Sequence, residues 1–252
     1  MNKRNRCYLY AITDRPARRL PDMPGLEGAS LHQITAQEEM VGPQARPITA
    51  VVSPFAETQV RPTAERVLAH EAIVEALMAD RAVLPVRFGT ILADGDAVRK
   101  MLAEQHDRFI EDLRHVAGRV ELGLRVLWDR DEPESREPFE ATAGEMARDG
   151  RTYLMQRVQE TRAEKAARSR AEALAVRIHE QLAPKAADST RQVLSTPRFL
   201  LTAAYLVENK GVDAFRDRCQ EVAEELPRLR FLCTGPWPAY HFVTGDVPGK
   251  GG

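Results

Sequence analysis

Cysteine, aromatic residues, net charge and long apolar runs are all scarce in this chain of 252 residues. Its three cysteines, Cys7, Cys219 and Cys233, are odd in number and scattered, with no Cys-x-x-Cys or Cys/His spacing. That excludes a sequence-legible metal or redox motif and points to buried free thiols in a reducing cytoplasm. Lys and Arg number 36 against 37 Asp and Glu, a formal net charge of −1. No global basic field is available to collect nucleic acid or an anionic membrane. No apolar run approaches the ~18 residues of a membrane span. The basic start Met1-Asn2-Lys3-Arg4-Asn5-Arg6 is followed by Cys7-Tyr8-Leu9-Tyr10-Ala11-Ile12, too short for a signal peptide and stopped by Thr13-Asp14. Catalytic signatures are missing as well: no His-Glu-x-x-His, no glycine-rich phosphate loop after a strand, no Gly-x-Ser-x-Gly elbow.

What is present reads as a globular α+β protein, 43% hydrophobic and 29% charged. Its length suggests two domains. In the first half, Cys7 to Thr13, Ala29 to Thr35 and Ile48 to Ser53 are short apolar runs bounded by Gly and Pro, hence strands. Arg61-Pro62-Thr63 opens a helix with Val67, Val74, Leu77 and Met78 at helical spacing. In Val83-Leu84-Pro85-Val86-Arg87-Phe88-Gly89-Thr90, Pro85 predicts an edge or kinked strand. A single second helix is expected from Asp94 or Asp96, with Val98, Met101, Leu102, Phe109, Leu113 and Val116 as its stripe and Gly118 as its stop.

The second half begins with a clear alternation. In Arg119 to Trp128, Val120, Leu122, Leu124, Val126 and Trp128 point to one face, and Arg119, Glu121, Gly123, Arg125 and Leu127 to the other. Residues 139–182 are Ala-, Arg- and Glu-rich without proline. They read as a long helical region broken near Asp149-Gly150, whose charged centre, Glu160 to Arg170, projects into solvent. Arg198 to Glu208 is a strand, Val212 to Leu226 a helix, and Leu229 to Cys233 a final strand. This order fits a ferredoxin-like α+β sandwich. The expected division is 1–117, a mixed α+β domain; 118–235, a ferredoxin-like domain with a helical extension; and 236–252, a tail.

That tail carries Thr234-Gly235-Pro236-Trp237-Pro238-Ala239-Tyr240-His241-Phe242. Two prolines stiffen the backbone around one of two tryptophans and exclude an α-helix. Full burial of a Trp removes roughly 150–250 Å² from water, a strong drive to dock on the chain itself or on another polypeptide. Docking between the two domains, through Trp237 and Tyr240, is the expectation. Elsewhere His70, on the Val67/Val74/Leu77 face, reads as a satisfied core histidine, and Asp94-Gly95-Asp96 as a helix cap. Arg87 reads as a carbonyl clamp or ion pair, with an anion or partner carboxylate as the alternative. His241 has a pH-sensitive latch as its sharper reading.

The Val83–Thr90 segment resembles the core signature of the gas vesicle protein F/L family, and Thr234–Phe242 resembles that family's C-terminal signature. Gly150-Arg151-Thr152-Tyr153-Leu154, Leu200 to Val207 and Tyr8-Leu9-Tyr10-Ala11-Ile12 match further elements in the same order. Ala239 stands where the family usually has a second proline before the tyrosine. The resemblance implies two α+β domains, the second a modified ferredoxin-like fold with an inserted helical extension. It also implies an accessory or minor structural protein of the gas vesicle, on its gas-facing side, rather than an enzyme, with no cofactor or metal. Its implied partners are the small hydrophobic gas vesicle shell protein (GvpA-like) and other accessory proteins. Leu84, Pro85, Arg87, Phe88, Trp237, Tyr240 and Phe242 are the candidate partner or interdomain contacts. A ferredoxin-like enzyme or ligand-binding protein is the competing class, and a nucleic-acid-binding sheet is disfavoured by the charge.

Overall fold

A computed structural model describes residues 6–16, 19–36, 47–128, 150–194 and 198–244. The chain divides into two compact units. Unit 1 is Met1–Leu122 with Leu206–Asn209 and Gly235–Gly252; unit 2 is Gly123–Tyr205 with Lys210–Thr234. The first is therefore discontinuous in sequence.

Unit 1 is built on an antiparallel sheet of β1 (Arg6–Thr13), β2 (His32–Thr35), β3 (Thr49–Phe55), β4 (Val83–Pro85) and β5 (Ile91–Leu92). The order is β2-β3-β1-β4, and β5 also pairs with β1. β1 is the central strand and is buried from Cys7 to Thr13, which explains its unbroken run of apolar and aromatic residues. Its register against β3 slips at Tyr10, between Leu9↔Val52 and Ala11↔Val51. Such a bulge bends the strand and re-aims a side chain. Tyr10 lies buried beside Tyr8, its hydroxyl on Ser53 Oγ at 2.9 Å and accepting from Leu26 N at 2.8 Å. β4 is an edge, as Pro85 requires: it has no N–H to offer a second neighbour.

Helix α1 (Ala64–Met78) starts at Thr63, whose hydroxyl caps Arg66 N, and packs Ile73, Val74 and Leu77 against this sheet. The helix predicted after Asp94 is two. α2 (Gly95–Glu104) is capped by the Asp94 carboxylate on Ala97 N, and α3 (His106–Val116) follows after Gln105. Gln105 leaves helical geometry at φ −114°, ψ 16°. It still donates to Met101 O at 3.2 Å and accepts from Phe109 N at 2.9 Å. Both backbone groups of Gln105 are paired, so the break needs neither Gly nor Pro to announce it.

The second sheet holds β6 (Arg119–Trp128), β7 (Asp188–Val193), β8 (Phe199–Glu208) and β9 (Leu229–Trp237), in the order β7-β8-β6-β9. Helix α4 (Gly150–Leu182) joins β6 to β7, and α5 (Val212–Glu225) joins β8 to β9. β7 is missing from the sequence-based reading because Asp188-Ser189-Thr190-Arg191-Gln192-Val193 is a polar strand without apolar alternation. β9 runs on through Gly235 and Pro236 to Trp237, beyond its expected end at Cys233. α4 is 33 residues long, hence about 50 Å. Ala171, Ala175, Ile178 and Leu182 recur at helical spacing and are buried, whereas Thr161, Arg162, Lys165, Arg168 and Arg170 are exposed. The predicted solvent-facing centre is thus exposed at its described positions. The predicted helix over 139–149, the charged turn at 129–138 and the frayed end at 245–252 lie outside the described residues.

Candidate functional site

Two motifs far apart in sequence converge on adjacent residues of one helix, His70 and Glu71 of α1. The first is the strand and turn of residues 83–90. His70 is wholly buried. Its Nε2 lies 2.9 Å from the Val86 carbonyl, which can only accept, so this nitrogen carries the proton. Nδ1 then accepts from the Tyr8 hydroxyl at 3.0 Å, and Tyr8 in turn accepts from Gly89 N at 3.1 Å. The chain Gly89 N–H, Tyr8 O–H, His70, Val86 C=O is complete with a neutral imidazole. Burial pushes the His70 pKa down to about 4, against the opposing pull of the Val86 hydrogen bond. Tyr10 stacks on the imidazole at 5.5 Å, and Tyr8 and Phe88 meet it edge-on at 5.7 and 5.8 Å. Gly89 sits at φ +91°, in the left-handed region that glycine tolerates. The Arg87 carbonyl accepts from Thr90 N and from its hydroxyl, closing the turn.

The consequence for the predicted contact residues is a division. Leu84, Pro85 and Val86 are buried, Phe88 is half-buried, and the Arg87 side chain is exposed.

The second motif is the tail, and polar anchors hold it. The Tyr240 hydroxyl donates to Glu71 Oε1 at 2.9 Å. His241 N donates to Glu121 Oε2 at 2.9 Å, and its Nδ1 lies 2.6 Å from Glu121 Oε1. Thr244 donates from N and Oγ1 to Asp112, at 3.1 and 2.9 Å, and accepts from Arg108 Nε at 3.1 Å. Glu121 and Asp112 retain only 5% and 4% of their exposure. Buried carboxylates are costly unless hydrogen-bonded, and bonds to a charged acceptor are the strong ones. Burial pushes the Glu71 carboxyl up, partly offset by Tyr240. Burial, reinforced by Glu71, pushes the Tyr240 hydroxyl up. Between these anchors the chain makes one 3-10 turn, Tyr240–Phe242, which buries Ala239 and Phe242. Gly235 is at φ +108°, its peptide bond to Pro236 is cis, and a Cβ there would stand 2.7 Å from the Glu121 carbonyl.

Trp237, the largest apolar group of the tail, is 44% exposed. The apolar residues that the tail buries are Ala239 and Phe242, and the three acids fix its direction. Tyr240's partner Glu71 belongs to the same unit as the tail. Glu121 corrects another expectation. Alternation along β6 assigns it to the face opposite Val120 and Leu122, and His241 of the tail covers it there. Asp112 and Thr244 were not foreseen at all, because an acid on an amphipathic helix ordinarily reads as solvated. Among the described residues, no group of three or more His, Cys, Asp or Glu is placed to hold a metal ion.

The family model described as gas vesicle synthesis protein GvpL/GvpF matches residues 6–244, which takes in both motifs and every anchor. The chain belongs to the gas vesicle protein F/L family. Among its relatives, gas vesicle protein L of a Streptomyces species is 32% identical over 187 residues, covering 71% of this chain and 69% of that protein. Gas vesicle protein F1 of Halobacterium salinarum is 26% identical over 239 residues, covering 94% of this chain and 92% of the other. The crystal structure of the gas vesicle protein GvpF from an Anabaena species superimposes with a TM-score of 0.70 at 19% identity, over 96% of this chain and 97% of that one. The chain therefore shares the fold of that GvpF structure at low sequence identity. No described helix is long and apolar enough to cross a membrane.

Proposed function

We propose that this protein is a non-catalytic accessory component of gas vesicle assembly that binds the small apolar shell subunit noncovalently and supports nucleation and growth of the shell. Membership of the F/L family, matched from residue 6 to residue 244, carries this reading. The physical case is that a shell excluding water needs subunits with large apolar faces, which aggregate unless covered before assembly. Trp237 offers a large aromatic surface at 44% exposure on a backbone that the Tyr240, His241 and Thr244 anchors hold in place. A pre-ordered aromatic loses little entropy on binding. Arg87 and Phe88 are the accompanying contacts, while Leu84, Pro85, Tyr240 and Phe242 shape the surface from beneath. The site of action is the vesicle and the cytoplasm around it, with other gas vesicle accessory proteins as further partners. The order β7-β8-β6-β9, with helices between β6 and β7 and between β8 and β9, supports describing this part of the chain as a modified ferredoxin-like fold extended by α4.

An enzyme built around the buried histidine is disfavoured, because both nitrogens of His70 are already engaged inside the core. Co-expression with the shell protein followed by pull-down tests the proposal. Retention of the shell protein by the wild type, and at least a tenfold loss with Trp237→Ala, is the expected result. No retention, together with undiminished vesicle formation in cells lacking the gene, would overturn it.

A further inference from the structure

A polar cluster in unit 2 joins three elements: His179 of α4, Tyr205 of β8 and Ser189 of β7. The half-buried His179 places Nδ1 3.1 Å from the Tyr205 hydroxyl and Nε2 3.4 Å from Ser189 Oγ. Its ring lies 5.5 Å from that of Tyr205, which in turn lies 4.9 Å from Phe215 of α5. Tyr205 is wholly buried, and among the described residues its hydroxyl has no other hydrogen-bond partner. β7 is an edge of its sheet and buries no side chain: Asp188, Thr190, Arg191 and Gln192 are exposed, and Ser189 and Val193 are half-buried. With so little apolar burial, this strand depends on its backbone pairing to β8 and on polar side-chain ties. We propose that His179 is a proton-operated clasp, whose neutral imidazole fastens the edge strand β7 to α4 and β8 and whose protonation in mild acid lets β7 open.

A neutral imidazole has one donor and one acceptor nitrogen, and two hydroxyls satisfy it in either tautomer. The doubly protonated ring has two donors, so both hydroxyls must accept. Ser189 can turn its own proton to water. The buried Tyr205 proton is left without an acceptor, which is costly. Relief comes when the imidazolium swings into water, and the Ser189 bond and the contact with the Tyr205 ring go with it. Ser189 and Arg191 stand two apart on β7 and share a face, so the guanidinium lies on the side that meets the ring. The other charged and titratable groups here are Asp188 of β7, which accepts from Ser189 N, Glu180 of α4, and Arg218 and Cys219 of α5. Arg218 is held by Gln181 and Glu221, and Cys219 is a buried thiol. Burial lowers the His179 pKa below the ordinary 6.5, Arg191 adds to that effect and Glu180 opposes it. A released His179 therefore takes the proton more readily than a clasped one. The clasp is whole above pH 6.5 and weakens as pH falls below it. Detaching β7 makes β8 the edge of the sheet.

Amide hydrogen exchange of the full-length wild-type chain at pH 7.5 and pH 5.0, corrected for the intrinsic pH dependence of exchange, tests this without relying on a variant to fold. Opening of Asp188–Val193 should increase about three- to thirtyfold at the lower pH, the upper limit being that of a fully solvated histidine. Protection of Val120–Val126 in β6 should hold. His179→Gln, which can hydrogen-bond but not take the proton, should keep β7 protected and abolish the pH effect. Equal β7 protection at the two pH values would overturn the proposal. So would an equal loss in β6 and β7, or an unchanged pH effect in His179→Gln. A nuclear magnetic resonance titration of the wild type adds a check independent of that variant: the His179 ring should titrate with a midpoint below 6.5, and a midpoint at or above 6.5 would contradict the clasp.

Discussion

The Val83–Thr90 turn and the Trp237–Thr244 tail sit on neighbouring residues of the same helix, yet they are held by opposite physics. The turn is secured from inside, by a buried neutral histidine, aromatic rings and two carbonyls. The tail is secured from outside, by Glu71, Glu121 and Asp112 accepting from its side chains and backbone. An apolar-and-neutral lock is stable as long as nothing charges it. A carboxylate lock holds as long as each acid keeps the donors that satisfy it. Each segment has one fastening on α1, at His70 and at Glu71, and the tail is tied as well to β6 through Glu121 and to α3 through Asp112.

The sharpest way to break the comparison is to empty the interior lock. His70→Ala leaves the Tyr8 hydroxyl and the Val86 carbonyl unpaired and opens a cavity under Tyr10 and Phe88. About 3–5 kcal/mol of unfolding free energy should be lost in urea titrations; a loss under 1 kcal/mol would mean that the network is dispensable. Acidification should act on the same residue. The folded pKa of about 4 lies below the ordinary 6.5, so between those values the unfolded chain binds the extra proton. Stability from this group is full above pH 6.5 and falls as pH drops toward 4, by about 3 kcal/mol at most. Glu71, whose pKa is raised by burial, contributes with the opposite sign above the ordinary carboxylate range. His70→Gln should flatten the pH 4–6.5 slope; an unchanged slope would assign it elsewhere.

The exterior lock should be weaker and local. Asp112→Ala removes the acceptor for Thr244 N and Oγ1, at a cost of about 2 kcal/mol. It should raise amide exchange at Phe242 and Thr244 while leaving Val86 and Gly89 protected. Uniform loss of protection across both motifs would mean that the turn and the tail are held as one unit. The smallest effect belongs to Trp237→Ala, within about 0.5 kcal/mol, since a half-exposed side chain away from the core has little folding energy to lose.

Legibility followed the physics of each element. β1, β6 and β8 were readable because their burial demands apolar side chains, and Pro85 correctly marked an edge. β7 was not, because its polar side chains leave only backbone bonds to define it. The α2–α3 break was hidden because Gln105 keeps its hydrogen bonds. His70 could be placed in the core from its helical face, but its partners Tyr8 and Val86 could not be named. Glu121 and Asp112 were misjudged or missed, because a periodicity argument assigns acids to water unless another segment is known to cover them.

The central claim is that polar anchors hold the tail so that Trp237 faces outward for a partner. Paired measurement of unfolding free energy and shell-protein capture for Trp237→Ala tests it most directly. The account predicts near-wild-type stability with capture reduced at least tenfold. A loss of more than 2 kcal/mol with capture intact would contradict it and make Trp237 a structural residue of the fold.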